Sequence, residues 1–377
     1  MTTHVFIVNS MTFKIHLEYS FVGTGADDKD VDFNGKKKTS LHYQSENLLI
    51  SMMADGCRMR KGDMVVFYLQ ASKGIDGKFY GIFQIAHDCI FLQPDSNKYL
   101  KNDLKKSLIF RQLIKPYEVY KNGISEWEAL DEIKNIQAPC QMLWSLIYRK
   151  LRGNRGNTMI TIYEAERLFA LIRNKNNYTK VPGNYFSFDG NKIIATTSKC
   201  KYQGNQIKLN ILPRLIQKLV SKQAFEAHLQ MYITQNIGRK INRSLDTSLY
   251  VNRSNIEWIG NEVSCGLGMQ RIDIMISKIK SSTERIIMPI ELKAVSASSE
   301  NVSQITRYID WIEQYYLPNR QSTIQPVLLC LGGSDLSENV KMSFHNFNDN
   351  SNGRYLPLIY IEYVIKEKNL VFKTINY

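Results

Sequence analysis

Two short stretches of alternating apolar and polar residues, 271–276 and 287–294, constrain the fold of this chain most strongly. Alternation with a period of two is the pattern of a half-buried β-strand. Ile272, Ile274 and Ile276 would share one face of the first strand, because side chains two apart in a strand point the same way. The two stretches therefore predict neighbouring strands of one sheet, each with a buried apolar face.

Polar residues at 281–283 predict a turn between these strands, which makes the pair a hairpin. If the hairpin turns about Ser282, Asp273 lies opposite Glu291, and Lys293 joins them on the polar face. Two carboxylates can hold a divalent cation such as Mg²⁺, which keeps several waters beside one or two protein carboxylates. A lysine beside such a cation can orient or help deprotonate a water and offset negative charge in a transition state. The arrangement suits phosphodiester hydrolysis. An exposed hairpin with a cross-strand salt bridge is the alternative interpretation of the same residues.

The flanking sequence contains two further polar residues at helical spacing. Residues 224–233 predict a helix that places Glu226 ahead of the hairpin. A second helix is predicted to begin near Gln304, and Gln304 and Tyr308 lie four residues apart on one of its faces.

This order of residues, Glu…Asp…ExK…QxxxY, resembles the PD-(D/E)XK nuclease superfamily, particularly its RecB-like branch. The segments FEAHLQMYITQNI, MQRIDIMI, IELKA and SQITRYIDWI are similar to the catalytic domain of NucS-type endonucleases, over about residues 223–335. The resemblance implies an α/β nuclease core in which Asp273 and Glu291 bind the metal and Lys293 serves the attacking water. It also implies that Glu226 completes the acidic cluster or binds the metal through water, and that Gln304 and Tyr308 support the site.

The sequence departs from the family pattern at one point, since no Pro-Asp pair precedes the hairpin. The nearest proline, Pro289, lies within the second strand. Proline cannot donate to a ladder, so its nitrogen must face a bulge or an unpaired side.

The chain has 377 residues and is 44% hydrophobic, which predicts two or three domains with buried cores. Its longest apolar run, residues 48–54, is far too short to cross a bilayer. We see no signal peptide pattern. The widely spaced cysteines contain no CxxC pair, which favours reduced thiols in a cytoplasmic protein over a disulfide or zinc framework; they are Cys57, Cys89, Cys140, Cys200, Cys265 and Cys330.

The net charge of +14 is concentrated in the middle of the chain. Residues 135–222 contain 15 Lys and Arg against 3 Asp and Glu, whereas the segments before and after are each near neutrality. A localised basic surface is expected where a protein binds a phosphate backbone. The charge does not distinguish DNA from RNA or an acidic membrane.

Residues 1–134 alternate short apolar stretches with turn residues, which predicts a mostly-β domain. Strands are expected at 4–9 and 78–85, a helix at 41–53, and a turn feeding a strand at 59–68. The stretch KGDMVVFY…GKFYGIFQI resembles the PUA-like group, and most of all its EVE domains. This resemblance implies a small β-barrel that reads a modified or flipped base. Such a pocket needs aromatic faces and a few polar groups, and the candidates are Asn9, Ser10, Tyr43, Tyr68, Tyr80 and Trp127. A place in the barrel core is the favoured alternative for any one of the aromatic residues.

The basic segment 135–222 predicts helix, loop, helix and hairpin, an order that suggests a winged-helix-like DNA-binding module. Thr161 with Glu164 marks a helix start, and Asp189-Gly190 is a favoured hairpin turn. The candidates for phosphate contacts lie around a glycine-broken loop: Arg149, Lys150, Arg152 and Arg155. A rigid linker with a solvated basic face is the alternative.

In the last part of the chain, a helix is predicted at 211–220, a buried strand at 327–331, a mobile Asn-rich loop at 343–354, and two final strands. Together these features predict an α+β and α/β multidomain protein: residues 1–134 as a PUA/EVE-like β-barrel, 135–222 as a basic winged-helix-like segment, and 223–377 as a PD-(D/E)XK nuclease core.

We therefore expect a metal-dependent DNA endonuclease of the type II-like restriction class, with Mg²⁺ as cofactor and Mn²⁺ as a substitute. Its expected partner is double-stranded DNA, without a membrane, and a homodimer is expected because a double-strand cut usually needs two active sites. A NucS-like mismatch repair endonuclease, an RNA-directed enzyme, and a nucleic-acid-binding protein with an inactive core are the alternatives.

Overall fold

The computed structural model describes residues 1–25, 46–72, 74, 76–88, 90–93, 99–135, 156–198, 200–223, 225–265, 270–317 and 321–377. The described residues divide into two compact units, one within residues 1–209 and the other within 210–377.

The first unit is rich in short strands. These are β1 (Thr3–Val8), β2 (Phe21–Thr24), β3 (Met64–Leu69), β4 (Lys78–Ile85), β5 (Phe91–Leu92), β6 (Phe110–Pro116), β7 (Ile124–Ser125), β8 (Asn157–Ile160), β9 (Phe186–Phe188), β10 (Ile193–Ala195) and β11 (Ile207–Lys208). Its helices are α1 (Ser10–Glu18), α2 (Glu46–Cys57), α3 (Lys101–Leu104), α4 (Glu126–Asp131), which a 3₁₀ turn at Glu132–Asn135 follows, and α5 (Ile162–Lys175).

Most of these strands form one mixed sheet with the order β11-β5-β6-β4-β3-β1-β8, in which β2 also pairs with β6 and β7 with β4. The β1–β3 ladder is parallel and the others are antiparallel. The predicted pairing of 59–68 with 78–85 is confirmed as the β3–β4 ladder. Among the described residues, the strand order ends at β11 and β8, and no ladder joins these two strands to close a barrel.

The basic middle segment is not a separate unit in the structure. Strand β8 pairs with β1, and β11 pairs with β5, so both extend the sheet of the first unit. Burying the backbone N–H and C=O groups of a strand without hydrogen-bond partners costs free energy. The edge of β1 that β3 does not occupy supplies these partners for β8. The predicted three-part division is therefore replaced by two units with a boundary near residue 209.

Local predictions within this segment are confirmed. Thr161 and Glu164 form a reciprocal capping box at the start of α5. Strands β9 and β10 form the predicted antiparallel hairpin around Asp189-Gly190. The first helix predicted for this segment, at residues 139–151, lies outside the described residues.

The second unit is a mixed α/β structure. Its helices are α6 (Leu212–Val220), α7 (Glu226–Asn236), α8 (Arg243–Ser248), α9 (Glu300–Tyr315) and α10 (Glu338–Asp349). Its strands are β12 (Ile256–Ser264), β13 (Arg271–Ile279), β14 (Arg285–Leu292), β15 (Ser322–Ile324), β16 (Val327–Leu331), β17 (Ile359–Lys366) and β18 (Asn369–Thr374).

The sheet of the second unit has the order β12-β13-β14-β16-β17-β18, and β15 also pairs with β14. The central ladders β14–β15, β14–β16 and β16–β17 are parallel, and the outer ladders are antiparallel. Helix α7 packs on β13 and β14, and α9 packs on β14. The β13–β14 hairpin thus lies centrally, covered by the two helices that carry the predicted site residues.

The prediction of a mobile loop at 343–354 is wrong for most of that stretch, because α10 continues to Asp349. Ser337 caps this helix by accepting a hydrogen bond from the backbone N–H of Val340. Val340, Phe344 and Phe347 are buried on one face at helical spacing. The asparagines that suggested a loop are interspersed with this apolar stripe.

Within the part of the chain that the structure describes, no helix has the length and apolar character needed to cross a membrane.

Candidate active site

The β13–β14 hairpin has the register that the sequence predicts. Ile274 pairs with Ile290 and Ile276 with Met288, so each pair is symmetric about Ser282. Continued by one residue, this register places Asp273 opposite Glu291.

Pro289 fits the hairpin without shifting that register, since it pairs with Met275. Peptide groups two residues apart in a strand point to the same side. The carbonyl of Ile287 accepts from the backbone N–H of Gln325, so the nitrogen of Pro289 also faces β15 and β16. In the parallel register of β14 with β15 and β16, Pro289 lies opposite Pro326, a residue between the end of β15 and the start of β16. The prediction that its nitrogen faces an unpaired side is confirmed.

Glu291 is buried, with 1% of its surface exposed. One carboxylate oxygen, Oε1, accepts a hydrogen bond from Lys293 Nζ at 2.5 Å. The other oxygen, Oε2, lies 2.7 Å from the hydroxyl of Tyr308. Burial raises the pKa of Glu291, while the contacts with Lys293 and Tyr308 act in the opposite direction and the charge of Glu226 adds to the rise.

Asp273, on β13, lies beside Glu291, on β14. Its Oδ2 accepts a hydrogen bond of 2.8 Å from the backbone N–H of Leu292. Burial raises the pKa of Asp273 well above its usual range, and the negative charge of Glu291 raises it further. The negative charges of ionised Asp273 and Glu291 would therefore be only partly compensated by the neighbouring groups.

Glu226 is the first residue of α7, and it lies near the end of the β13–β14 hairpin that carries Glu291. Its side chain is exposed, and Oε1 accepts a hydrogen bond of 3.3 Å from the backbone N–H of Ala294. This contact ties the first turn of α7 to the residue that follows Lys293.

Lys293, Gln304 and Tyr308 form one hydrogen-bonded chain. Lys293 Nζ lies 3.4 Å from Gln304 Oε1, and Gln304 Nε2 donates to the Tyr308 hydroxyl at 2.7 Å. The same hydroxyl also lies 2.9 Å from the carbonyl oxygen of Arg271. Tyr308 is buried and its pKa is raised, first by burial and then by Glu291. The predicted contact of Gln304 with Tyr308 across one helical turn is confirmed.

The cluster contains three carboxylates and one ammonium group. Burial lowers the pKa of Lys293, but the hydrogen bond and charge of Glu291 outweigh this effect and raise it overall. Lys293 is thus the cation of the cluster, and it does not neutralise both Asp273 and Glu291. A divalent cation would correct this imbalance, because ionised carboxylates in a buried site need a counter-charge.

Asp273 and Glu291 fit a Mg²⁺ ion, which binds through one or two protein carboxylates and retains several waters. Each carboxylate has about four lone-pair positions, and the hydrogen bonds above occupy only part of them. Among the described residues, no three His, Cys, Asp or Glu side chains are arranged to hold a metal ion together. Glu226 is the third carboxylate of the cluster, and its expected role, to complete the acidic cluster or bind the metal through water, stays a prediction.

Sequence reasoning missed two residues that fix the backbone of the site. Gln230 Nε2 donates to the carbonyl oxygen of Asp273 at 2.7 Å, and the Tyr363 hydroxyl donates to the carbonyl oxygen of Lys293 at 3.1 Å. Gln230 follows Glu226 by four residues, so helical spacing could have indicated that it faces the same hairpin. Tyr363 comes from β17, and nothing local in the sequence connects it to Lys293.

Two thiols, Cys265 and Cys330, are buried where the charge of Glu291 acts on them. Burial and the charge of Glu291 raise the pKa of Cys265 to about 12. Burial raises the pKa of Cys330 to about 12. Both remain protonated at neutral pH, which makes them poor nucleophiles and poor metal ligands.

The structure does not gather the predicted base-reading residues into one pocket. Tyr80 pairs with Phe67, whereas Tyr68 pairs with Phe79, so the two tyrosines lie on opposite faces of the sheet. Both are buried, and their hydroxyls are bound to the carbonyl oxygen of Asn191 and to Glu126, respectively. Both tyrosines belong to the core.

The remaining candidates of this group are also dispersed. Asn9 uses its side-chain oxygen to cap α1, where it accepts from the backbone N–H of Thr12 at 2.9 Å, and Ser10 is the first residue of that helix. Trp127 lies on α4 with 61% of its surface exposed. Tyr43 lies outside the described residues, as do the candidates for phosphate contacts: Arg149, Lys150, Arg152 and Arg155.

No protein-family model matches this chain, and no curated protein sequence matches it. Solved structures similar to it include human THYN1 in complex with DNA containing 5-methylcytosine, at 13% identity and a TM-score of 0.28, covering 45% of this chain and 97% of that one. A hypothetical protein from Leishmania major is similar at 10% identity and a TM-score of 0.29, covering 46% of this chain and 96% of that one. TM-scores and identities this low do not establish a common fold or function.

Proposed function

We propose that the second unit is a metal-dependent nuclease that hydrolyses phosphodiester bonds in DNA. The observation that carries the proposal is the meeting of Asp273, Glu291 and Lys293 at the end of the β13–β14 hairpin, with Glu291 buried and the carboxylate charge only partly offset. Clusters of buried groups with perturbed pKa values are typical of active sites. The resemblance to PD-(D/E)XK enzymes supports the same reaction.

Asp273 and Glu291 would hold Mg²⁺, and Mn²⁺ could replace it. The bound ion supplies a polarised phosphate and a water of lowered pKa. The chain itself positions the carboxylates: the N–H of Leu292 fixes Asp273, and Lys293 with Tyr308 fixes Glu291 from its two sides.

Lys293 would act as a cation rather than as a base. Its pKa is raised by Glu291, so it remains protonated at neutral pH and can donate to the attacking water or to a phosphate oxygen. A positive charge beside the phosphate would stabilise the negative charge that develops in the transition state. Gln304 and Tyr308 would keep the ammonium group and the carboxylate at fixed positions.

The strongly basic chain favours a polyanionic substrate, and DNA is the one proposed because the nuclease-like motifs resemble DNA-cutting enzymes. The type II-like restriction role, with a modified or flipped base read by the first unit, rests on the resemblance of residues 61–68 and 77–85 to EVE domains. Those residues include most of the β3–β4 hairpin. A NucS-like mismatch repair enzyme is the second candidate, favoured by the similarity of residues 223–335 to that group.

Cleavage of matched DNA panels with Mg²⁺ or Mn²⁺ tests the proposal. The panels are unmodified, cytosine-modified and adenine-methylated plasmids, a mismatched duplex and an RNA of the same sequence. We expect discrete fragments from one plasmid class. Cutting confined to the mismatch would indicate repair, and cutting confined to RNA would refute the substrate assignment.

Glu291→Ala and Lys293→Ala should each abolish cleavage while DNA binding stays nearly unchanged. Glu338→Ala and Lys341→Ala provide matched controls, since these residues form an exposed ion pair of 2.8 Å in the same unit. Cleavage that survives in either site variant would reject the assigned catalytic residues.

A further inference from the structure

A cavity of about 460 Å³ lies in the first unit, between the C-terminal end of α5 and the β9–β10 hairpin. Its apolar wall includes Val181, Pro182 and Ile193, and three lysines, Lys121, Lys175 and Lys180, also line it. Ligand sites commonly have volumes of 300–1,000 Å³ and combine apolar walls with a few polar groups. The proposed active site uses none of these residues.

The lysines are available to a phosphate group. Within the described residues Lys121 is exposed and has no ion-pair partner, while Lys180 is 52% exposed and lies 3.4 Å from Glu118. Lys175 is 46% exposed and pairs with Glu128. Exposed ion pairs contribute little to stability, so a phosphate can replace these carboxylates at small cost.

Positive charge also exceeds negative charge around the cavity. Glu118 is shared, because Arg173 Nε donates to it at 2.8 Å in addition to its contact with Lys180. Asp189 is the acidic neighbour of Lys121, and it also interacts with Lys192. The surplus of cations favours an anionic ligand.

An exposed aromatic residue belongs to the loop whose other residues line the cavity, although it is not itself a lining residue. Tyr178 is 66% exposed, and its neighbours Asn177 and Thr179 line the cavity. Asn177 and Tyr178 both have left-handed backbone conformations, with φ of 49° and 59°. Such conformations are strained for residues other than glycine, and they occur often at ligand sites. The backbone N–H of Tyr178 donates to the carbonyl oxygen of Arg173 at 2.9 Å, which anchors this loop to the end of α5.

We propose that this cavity binds one phosphate of a nucleic acid strand at Lys121 and Lys180, and that the adjoining base stacks on Tyr178 of the neighbouring loop. Proteins that bind single-stranded nucleic acids combine exposed aromatic rings, which stack on bases, with lysines that contact the backbone. The amide side chains of Asn122 and Asn177, which also line the cavity, can bond to a base edge or a sugar. The inference deepens the proposed function, on which its choice of DNA as the ligand rests.

The test measures equilibrium binding of the full chain to a fluorescent single-stranded DNA and to its duplex, without divalent metal, over a range of salt concentrations. In the variant Lys121→Gln/Lys180→Gln, we expect weaker binding and a slope of log K against log salt that is smaller by about 0.7 per lysine on the single strand. Tyr178→Ala should weaken binding to the single strand by about tenfold without changing the slope.

A matched control is Lys115→Gln/Lys14→Gln. Lys115 is exposed like Lys121, and Lys14 is 55% exposed with one carboxylate, Glu18, at 3.9 Å. Neither lines the cavity. The inference is overturned if the control lowers the slope as much as the test variant does, if neither changes it, or if the wild-type chain does not bind DNA.

Cleavage with Mg²⁺ is measured on the same preparations. Lysine-dependent binding without any cleavage would leave the inference standing and refute the nuclease proposal. Cleavage, together with DNA binding that does not change in the Lys121, Lys180 and Tyr178 variants, would support the nuclease proposal and refute the cavity inference.

Discussion

Replacing Asp273 with Asn tests the charge balance of the candidate site. The amide oxygen can still accept the 2.8 Å hydrogen bond from the Leu292 N–H, so the geometry is retained while one negative charge is lost. Because burial and then Glu291 raise the pKa of Asp273, its ionised form destabilises the folded state. The metal-free wild-type protein should therefore lose stability as pH rises through this raised pKa, since the folded state then holds a proton more tightly than the unfolded state. Asp273→Asn should be more stable than wild type at neutral pH without metal.

Magnesium should reverse that order. A ligand at 100 times its Kd stabilises the folded state by about 2.7 kcal/mol. In a unit of this size, each kcal/mol raises Tm by about 2–4 °C, so saturating Mg²⁺ should raise the wild-type Tm by roughly 5–10 °C. The shift should disappear in Asp273→Asn, because one of the two proposed ligands no longer carries a charge.

The assay is thermal melting at neutral pH with and without Mg²⁺, followed by fluorescence of the second unit or by calorimetry. Asp310→Asn is the control, since Asp310 lies on α9 with 53% exposure and pairs with Arg354 on the surface. Its Mg²⁺-induced shift should equal that of the wild type. A full shift in Asp273→Asn, or a metal-free Tm below that of the wild type, would contradict the charge argument.

Two further predictions concern Tyr308 and His16. Tyr308→Phe leaves a buried oxygen of Glu291 without a donor, which should lower the free energy of unfolding by about 1–3 kcal/mol. In the wild type this hydrogen bond lowers the pKa of Glu291, so its loss should raise that pKa and move the acid limb of the kcat profile to higher pH. An unmoved limb would show that Tyr308 has only a structural role. His16 is buried and its pKa is lowered to about 3 by burial and by the charges of Arg111 and Lys106. Below about pH 6.5 the unfolded chain takes up a proton that folded His16 excludes, so stability should fall by roughly 5 kcal/mol between pH 6.5 and 3. His16→Leu should make acid unfolding of the first unit shallower, and the exposed His87→Leu should not; equal slopes in both variants would rule out His16 as the cause.

The candidate active site could be predicted from sequence because it depends on local patterns. The alternation in 271–276 and 287–294 sets which side chains share a face, and the polar turn sets the register. The four-residue spacing of Gln304 and Tyr308 brings them together on one helix. Each of these relations follows from strand or helix geometry, and the structure shows all of them.

Contacts between distant segments could not be predicted in the same way. Strand β8 has only four residues and no alternating pattern of its own, and its place in the sheet depends on the free edge of β1, about 150 residues earlier. The contact of Tyr363 with the Lys293 carbonyl has the same character. The predicted base-reading residues do not form one pocket for a local reason instead, because the β3–β4 register places Tyr68 and Tyr80 on opposite faces of the sheet.

Stability alone does not explain why Glu291 is buried between Ile290 and Leu292. A buried ion pair seldom stabilises a fold more than apolar side chains of similar volume would, because both charges lose their hydration. Here Glu291 is 1% exposed, and it needs Lys293 and Tyr308 to satisfy its two oxygens. Asp273 adds a second carboxylate at the same end of the hairpin without a second cation among the described residues that contact it. An aliphatic side chain at 291 would continue the apolar core of the sheet without these costs. Positions that break the local rules in this way are expected at functional sites, and the excess negative charge at this one is what a divalent metal ion would neutralise.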